Sequence, residues 1–154
     1  MLAFLLALLI GSVAGLRALT APAAVSWAAH LGWLHLGETH LAFLGYRWMP
    51  WILTALALVE LVADQLPSTP SRTAPMGFGA RILTGALSGA TIGAASGLLI
   101  VGGIAGIIGA MLGTFGGHAA RARLADAFGK DMPAALLEDA VAILAAFLIV
   151  VAIR

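Results

Sequence analysis

The sequence predicts an all-α, polytopic transmembrane bundle of about five spans, built as one integral membrane domain over residues 1–154. Three observations carry that prediction. Of 154 residues, 62% are hydrophobic and 10% charged, with a mean hydropathy of +1.06, whereas soluble domains carry about 25% charged residues. The apolar residues fall in long uncharged runs, Met1 to Leu16, Ile82 to Ala120 and Ala140 to Ile153, and roughly 20 apolar residues cross a bilayer core. Glycines also recur at four-residue spacing, the pattern of closely packed membrane helices.

Span one is expected from Leu2 to about Thr20, with Pro22 marking a break or kink. The chain starts Met1-Leu2-Ala3-Phe4 without the basic n-region of a signal peptide and stays apolar past any cleavage point, so this span is expected to be retained. Residues 23–45 are less apolar, hold three of the four histidines, and read as an interfacial stretch. Span two starts at Met49-Pro50, where proline suits a first helical turn, and reaches about Leu66. A turn-rich loop with Pro67, Pro70 and Pro75 follows.

The 39 residues from Ile82 to Ala120 would make one helix of about 58 Å, far more than a core of about 30 Å needs. The expected cut is at Gly102-Gly103, giving span three to Val101 and span four over 104–117. A polar connection, residues 118–131, then leads to span five, Pro133 to Ile153. Five basic residues (Arg72, Arg81, Arg121, Arg123, Lys130) fall on one side of this layout and two (Arg47, Arg154) on the other. The positive-inside rule then places the N-terminus in the cytoplasm of a bacterial inner membrane and the C-terminus outside. Trp27, Trp33, Tyr46, Trp48 and Trp51 fall at the less basic interface as an aromatic belt.

Ile10-Gly11-Ser12-Val13-Ala14-Gly15 matches Ile108-Gly109-Ala110-Met111-Leu112-Gly113, and a basic-x-Met-Pro step follows each, Arg47-Trp48-Met49-Pro50 and Lys130-Asp131-Met132-Pro133. The expectation is an inverted repeat with halves 1–66 and 100–154 joined by the Gly-rich span 82–101, a device of secondary transporters. The same pattern could arise by chance, since Gly-x-x-x-Gly is abundant in membrane helices. The stripes Gly85-Gly89-Gly93-Gly97, Gly109-Gly113-Gly117 and Gly11-Gly15 fit tight packing within the chain or between copies; pore lining is the second reading.

Absence of cysteine excludes disulfides and thiolate ligands. A formal net charge of +1 without a Lys/Arg stripe gives no nucleic-acid footprint. No nucleophile elbow, phosphate loop or paired-ligand helix motif is present, so no enzyme is expected; lipid chemistry is the minor alternative. His30, His35 and His40 are five residues apart and fall on different helix faces, so no metal site is expected.

Intramembrane charge is the sharpest signal, because an acid at mid-membrane costs about 2.5–3.5 kcal/mol on insertion scales. Glu60 and Asp64 are one turn apart in span two, Glu138 and Asp139 lie early in span five, and Arg17 lies in span one. One reading is a buried Arg17–Glu60 pair that fixes helix register. The other is a cation or proton site of Glu60, Asp64, Glu138 and Asp139, with Arg17 as counter-charge. Glu138 and Asp139 could alternatively be first-turn acids favoured by the helix dipole. Arg72, Arg81, Arg121 and Arg123 form a cytoplasmic basic set that obeys the positive-inside rule or binds lipid phosphate.

Glu60-Leu-Val-Ala-Asp64-Gln-Leu-Pro67 with Pro70-Ser71-Arg72-Thr73, together with Gly15-Leu16-Arg17-Ala18, Arg81, the stretch Gly113 to Leu124 and Ala135-Leu-Leu-Glu138-Asp139-Ala140, resembles the bacterial family catalogued as domain of unknown function 4126. The likeness covers nearly the whole chain. It implies a membrane architecture and carries no activity. Where that family often has a basic residue after the aspartate, this chain has Gln65. A fainter likeness is to manganese and calcium cation exchangers with a Glu-x-Gly-Asp-basic signature. The functional expectation is a small secondary transporter or exchanger coupled to a cation or proton; the alternative is a non-transporting scaffold or assembly factor. Expected partners are membrane lipid, further copies of the chain in a homo-oligomer, and an inorganic cation or proton, with no cofactor.

Overall fold

The structure is a computed structural model that describes residues 1–37, 39–66 and 73–154. Among these it is all-helical, with six α-helices and one 3-10 turn: α1 (Leu2–Leu16), α2 (Thr20–His30), the 3-10 turn (Ala42–Gly45), α3 (Met49–Ala63), α4 (Pro75–Ala94), α5 (Leu99–Phe128) and α6 (Asp131–Ile153). Two of them, α5 and α6, are long and apolar enough to cross a membrane; α1 and α3 are shorter apolar helices.

Several expected boundaries move, each for a local reason. The first helix ends at Leu16, with Arg17 in an extended conformation, and a new helix starts at Thr20. Proline removes an N–H and clashes with the carbonyl four residues back. Pro22 thus breaks the helix near Ala18 and then sits comfortably in the first turn of α2. The following residues are no interfacial stretch: Ala21, Val25, Ser26 and Ala28 are buried in the bundle. Pro50 and Pro75 likewise lie in the first turns of α3 and α4.

The Gly-rich run is cut at residues 95–98, not at Gly102-Gly103. Gly97 adopts a positive φ of 71°, the Leu98 amide donates to the Gly93 carbonyl at 2.8 Å and the Gly97 amide to Ala94 at 3.0 Å, which together form a Schellman stop. Gly102 is instead an internal residue of α5, spent on packing. The polar connection at 118–131 is also mostly helix, since α5 continues to Phe128 and only Gly129 (φ 66°) and Lys130 separate it from α6.

Glycines bring α1, α4 and α5 into backbone contact. A Cβ at Gly109 would overlap the Leu8 carbonyl, and one at Gly113 the Ser12 carbonyl; Gly11 lies on Gly106, and Gly15 on Ala110 and Thr114. On the other side of α5, Gly102 and Gly106 lie against Gly93, Gly89 and Gly85. Most of the stripe glycines are therefore used inside one chain, α5 presenting one seam to α1 and another to α4.

These pairings set helix direction. Leu8–Gly109 and Ser12–Gly113 make α1 and α5 parallel, while Gly85–Ala110 and Gly93–Gly102 make α4 and α5 antiparallel. The two Ile-Gly-x-x-x-Gly segments therefore lie side by side in the same direction, the opposite of what an inverted repeat requires. α6 turns back along α5, with Arg121 reaching Asp131 at 2.9 Å across the short connection. α2 runs alongside α6, from Arg17 beside Asp139 to Trp33 beneath Arg154. α3 returns along α2, from Trp27–Thr54 to Leu19–Glu60.

Direction thus alternates through all six helices, and both termini lie at one end. The expected layout with termini on opposite sides misses the extra reversal at residues 17–19. The end with the termini also holds Arg47 and the predicted aromatic belt, where Trp27 meets Trp51 edge-on at 5.0 Å between ring centres. Arg81, Arg121, Arg123 and Lys130 lie towards the other end.

Gly109→Leu should destabilise the folded chain by at least about 1–3 kcal/mol, the usual cost of overpacking, lowering the thermal midpoint in detergent. Gly116→Ala, with open space around it, should be neutral or stabilising by up to about 1 kcal/mol. Compartment-specific reporters fused separately to the N- and C-termini should report the same compartment; opposite compartments would overturn the alternating order.

Candidate functional site

The reversal between α1 and α2 places one guanidinium where three helices converge. Arg17 is fully buried. Its Nε donates to Asp139 Oδ1 of α6 at 2.6 Å, Nη2 lies against the same carboxylate, and Nη1 donates to Asp64 Oδ2 at the end of α3. A buried guanidinium is tolerated only when its charge and its N–H groups are matched together. Two carboxylates from different helices supply the counter-charge and accept from Nε and Nη1, while Nη2 has the ionic contact with Asp139 but no hydrogen bond.

Glu60 takes a different part from the expected one. Its two oxygens accept the backbone amides of Ala18 and Leu19, each at 2.8 Å, so the carboxylate caps the broken backbone rather than pairing with the Arg17 side chain. An anion there is also favoured by the positive end of the α2 dipole. Because α3 ends at Ala63, Glu60 lies in its last turn, at the level of the α1–α2 reversal.

Around this centre, Gln65 Nε2 approaches Asp139 Oδ2 at 3.5 Å, and Arg81 Nη2 lies 3.8 Å from Asp64 Oδ2. Arg121 Nη1 lies 3.6 Å from Glu138 Oε2, while its Nε and Nη2 hold Asp131 at 2.9 and 2.5 Å. Since α6 starts at Asp131 and not at Pro133, Glu138 and Asp139 are two turns inside the helix and are not first-turn acids; Asp131 takes that place.

The four acids proposed from the sequence are thus near one another but do not converge on a shared open centre. Arg17 stands between Asp64 and Asp139, Glu60 faces backbone, and Glu138 faces Arg121. Among the described residues no cluster of His, Asp or Glu has the geometry of a metal site. Arg123 is exposed, and Arg72 lies outside the described residues. Sequence reasoning missed Gln65, Asp131 and the Ala18–Leu19 amides as members of the cluster. Asp131 had a usable signal in its position just ahead of Met132-Pro133; backbone amides carry none.

Arg17 ties the end of α3 to α6 through Asp64 and Asp139, alongside the Gln65–Asp139 contact. Removing Arg17 takes the main counter-charge from two acids, leaving Asp64 only the longer Arg81 contact and Asp139 only Gln65: Arg17→Ala should cost about 3–5 kcal/mol. A double-mutant cycle should give a coupling of about 1–3 kcal/mol for Arg17 with Asp139 and a smaller one for Arg17 with Glu60, measured by denaturant or thermal unfolding in detergent. Equal couplings would contradict the described partners.

No curated protein matches the chain, and no solved structure does. The family described as "Domain of unknown function (DUF4126)" matches residues 4–153, and the chain belongs to that family.

Proposed function

We propose that this protein is a small secondary transporter of a bacterial inner membrane that couples movement of a small solute to protons. The observation that carries the reading is Arg17, fully buried at a helix break and shared by carboxylates from α3 and α6. Broken helices with charged groups at the break are how transporters build coupled sites, and intramembrane ionisable residues mark such pathways. A proton fits better than an inorganic cation, because the guanidinium already occupies the space between Asp64 and Asp139.

In this reading the basic end, with Arg81, Arg121, Arg123 and Lys130, faces the cytoplasm, and both termini face the opposite side. Exposed Leu144, Phe147 and Val59 face lipid; a soluble monomer rarely shows so large an apolar surface. α3 is the mobile element. Among the described residues it packs substantially only against α2 and the 3-10 turn, and its lower end is held by the ionic cluster. Protonation of one carboxylate weakens that hold, leaving the Glu60 cap on Ala18 and Leu19, and a ligand that binds one position of α3 better than the other shifts the equilibrium between them.

A second reading is favoured by how Glu60 and Arg121 find partners on neighbouring segments: a static clamp in a membrane scaffold. The two separate in proteoliposomes adsorbed on a solid-supported electrode. A pH step should evoke a transient charge displacement that Asp139→Asn reduces to background while the variant stays folded. A wild-type protein with no transient would sink the transport reading and leave the clamp.

A further inference from the structure

Between α2, α3 and α6 lies a cleft of about 440 Å³. It exists because small residues line it, Ala23 and Ala24 on α2, Ala57 on α3 and Ala146 on α6, while α3 and α6 do not close on each other. Leu58 and Phe147 stand at its sides, 58% and 62% exposed, so the cleft opens laterally, through the surface that faces lipid. Two of its polar groups are matched internally: the Trp27 indole N–H donates to Thr54 Oγ1 at 3.0 Å, and the Thr54 hydroxyl donates to the Pro50 carbonyl at 2.7 Å. A cavity lined in this way stays dry and takes apolar ligands.

The two ends of the cleft differ in charge. The lower end, at Thr20 and Leu61, adjoins the Glu60 carboxylate. The upper end, at Leu31 and Trp33, carries the Arg154 guanidinium over the Trp33 ring, 5.7 Å from its centre. An elongated anionic ligand is repelled at the lower end and held at the upper one. The volume is on the order of fifteen water volumes at about 30 Å³ each, room for one hydrocarbon chain and not two.

We propose that this cleft binds a single-chain anionic amphiphile of the long-chain fatty acid class, its chain between α2, α3 and α6 and its carboxylate at Arg154. The site stands on the cleft and its charged rim alone and does not depend on the transport reading.

Trp27 and Trp33 line the cleft and make it directly observable. In a Trp48→Phe/Trp51→Phe background, all tryptophan emission comes from these two residues. Titrating dibrominated stearate into the protein in nanodiscs of saturated phosphatidylcholine should give saturable quenching, displaced by unbrominated stearate. Ala57→Phe, which fills the cleft from α3, should abolish the saturable part; Ala24→Phe fills it from α2 and serves if the first variant fails to fold. Leu144→Phe, which adds bulk on the outer face of α6, should leave it intact. Arg154→Gln should weaken binding by about tenfold, the equivalent of about 1.4 kcal/mol. Quenching that rises linearly and equally in the background protein and both filled variants would overturn the proposal, because it reports bulk partitioning alone. Saturable quenching by dibrominated phospholipid that stearate does not displace would overturn the fatty acid assignment in favour of a bilayer lipid chain.

Discussion

Burial of the Arg17 guanidinium is the constraint on which the rest of the arrangement depends. An arginine withdrawn from water needs both counter-charge and acceptors, and no single helix can present enough of them at one point. Asp64 has to come from the end of α3 and Asp139 from within α6, so the ends of three segments are fixed in relation to one side chain. The helix break that lets Arg17 reach them exposes two amides, and Glu60 accepts both. Break, arginine and three acids form one unit in which each part makes another tolerable.

The glycine seams are the second constraint and act on a different part of the molecule. With backbones in contact, α1, α4 and α5 form a slab in which side-chain size is limited at nearly every turn. Such packing resists deformation, because a close-packed interior leaves little volume to yield. α3 has no such seam. It leans on α2, leaves a dry cleft towards α6, and is tied to the far side only through the ionic cluster. The molecule therefore divides into a part held by backbone-close van der Waals contact and a part held by charge.

The two ends of the bundle differ in a way that follows from the same topology. Aromatic side chains and two arginines gather where α2 ends, α3 starts and the termini lie. The opposite end holds the basic residues of α4 and α5, and there α5 and α6 extend past the α1–α2 reversal: Thr114 is level with Gly15, and α5 continues for about 20 Å beyond it at the standard helical rise. The protruding α5–α6 pair carries the Arg121–Asp131 contact outside the packed slab.

Much of this was legible in the residues taken alone. Composition and apolar runs established an all-helical chain with membrane-length helices. The proline step at Met49-Pro50 located the start of α3, whereas Pro75, expected in a loop ahead of a helix from Ile82, itself opens α4; the Gly-x-x-x-Gly stripes identified close helix packing, and Arg17, Asp64, Glu138 and Asp139 stood out because charge in apolar segments is costly. The signature residues alone already pointed to the family. What only the tertiary structure decided was direction and partnership. Whether Pro22 kinks a helix or reverses the chain, whether Gly97 or Gly102 makes the turn, and whether Arg17 meets Glu60 or Asp64 and Asp139 depend on which surfaces meet. Periodicity along one helix records which face is apolar or small but not which other helix covers it, and a glycine suited to a turn is equally suited to a seam. The parallel course of α1 and α5, the shared end of the termini, and the capping of backbone amides by Glu60 all arise from contacts between residues far apart in the chain, for which no local pattern exists.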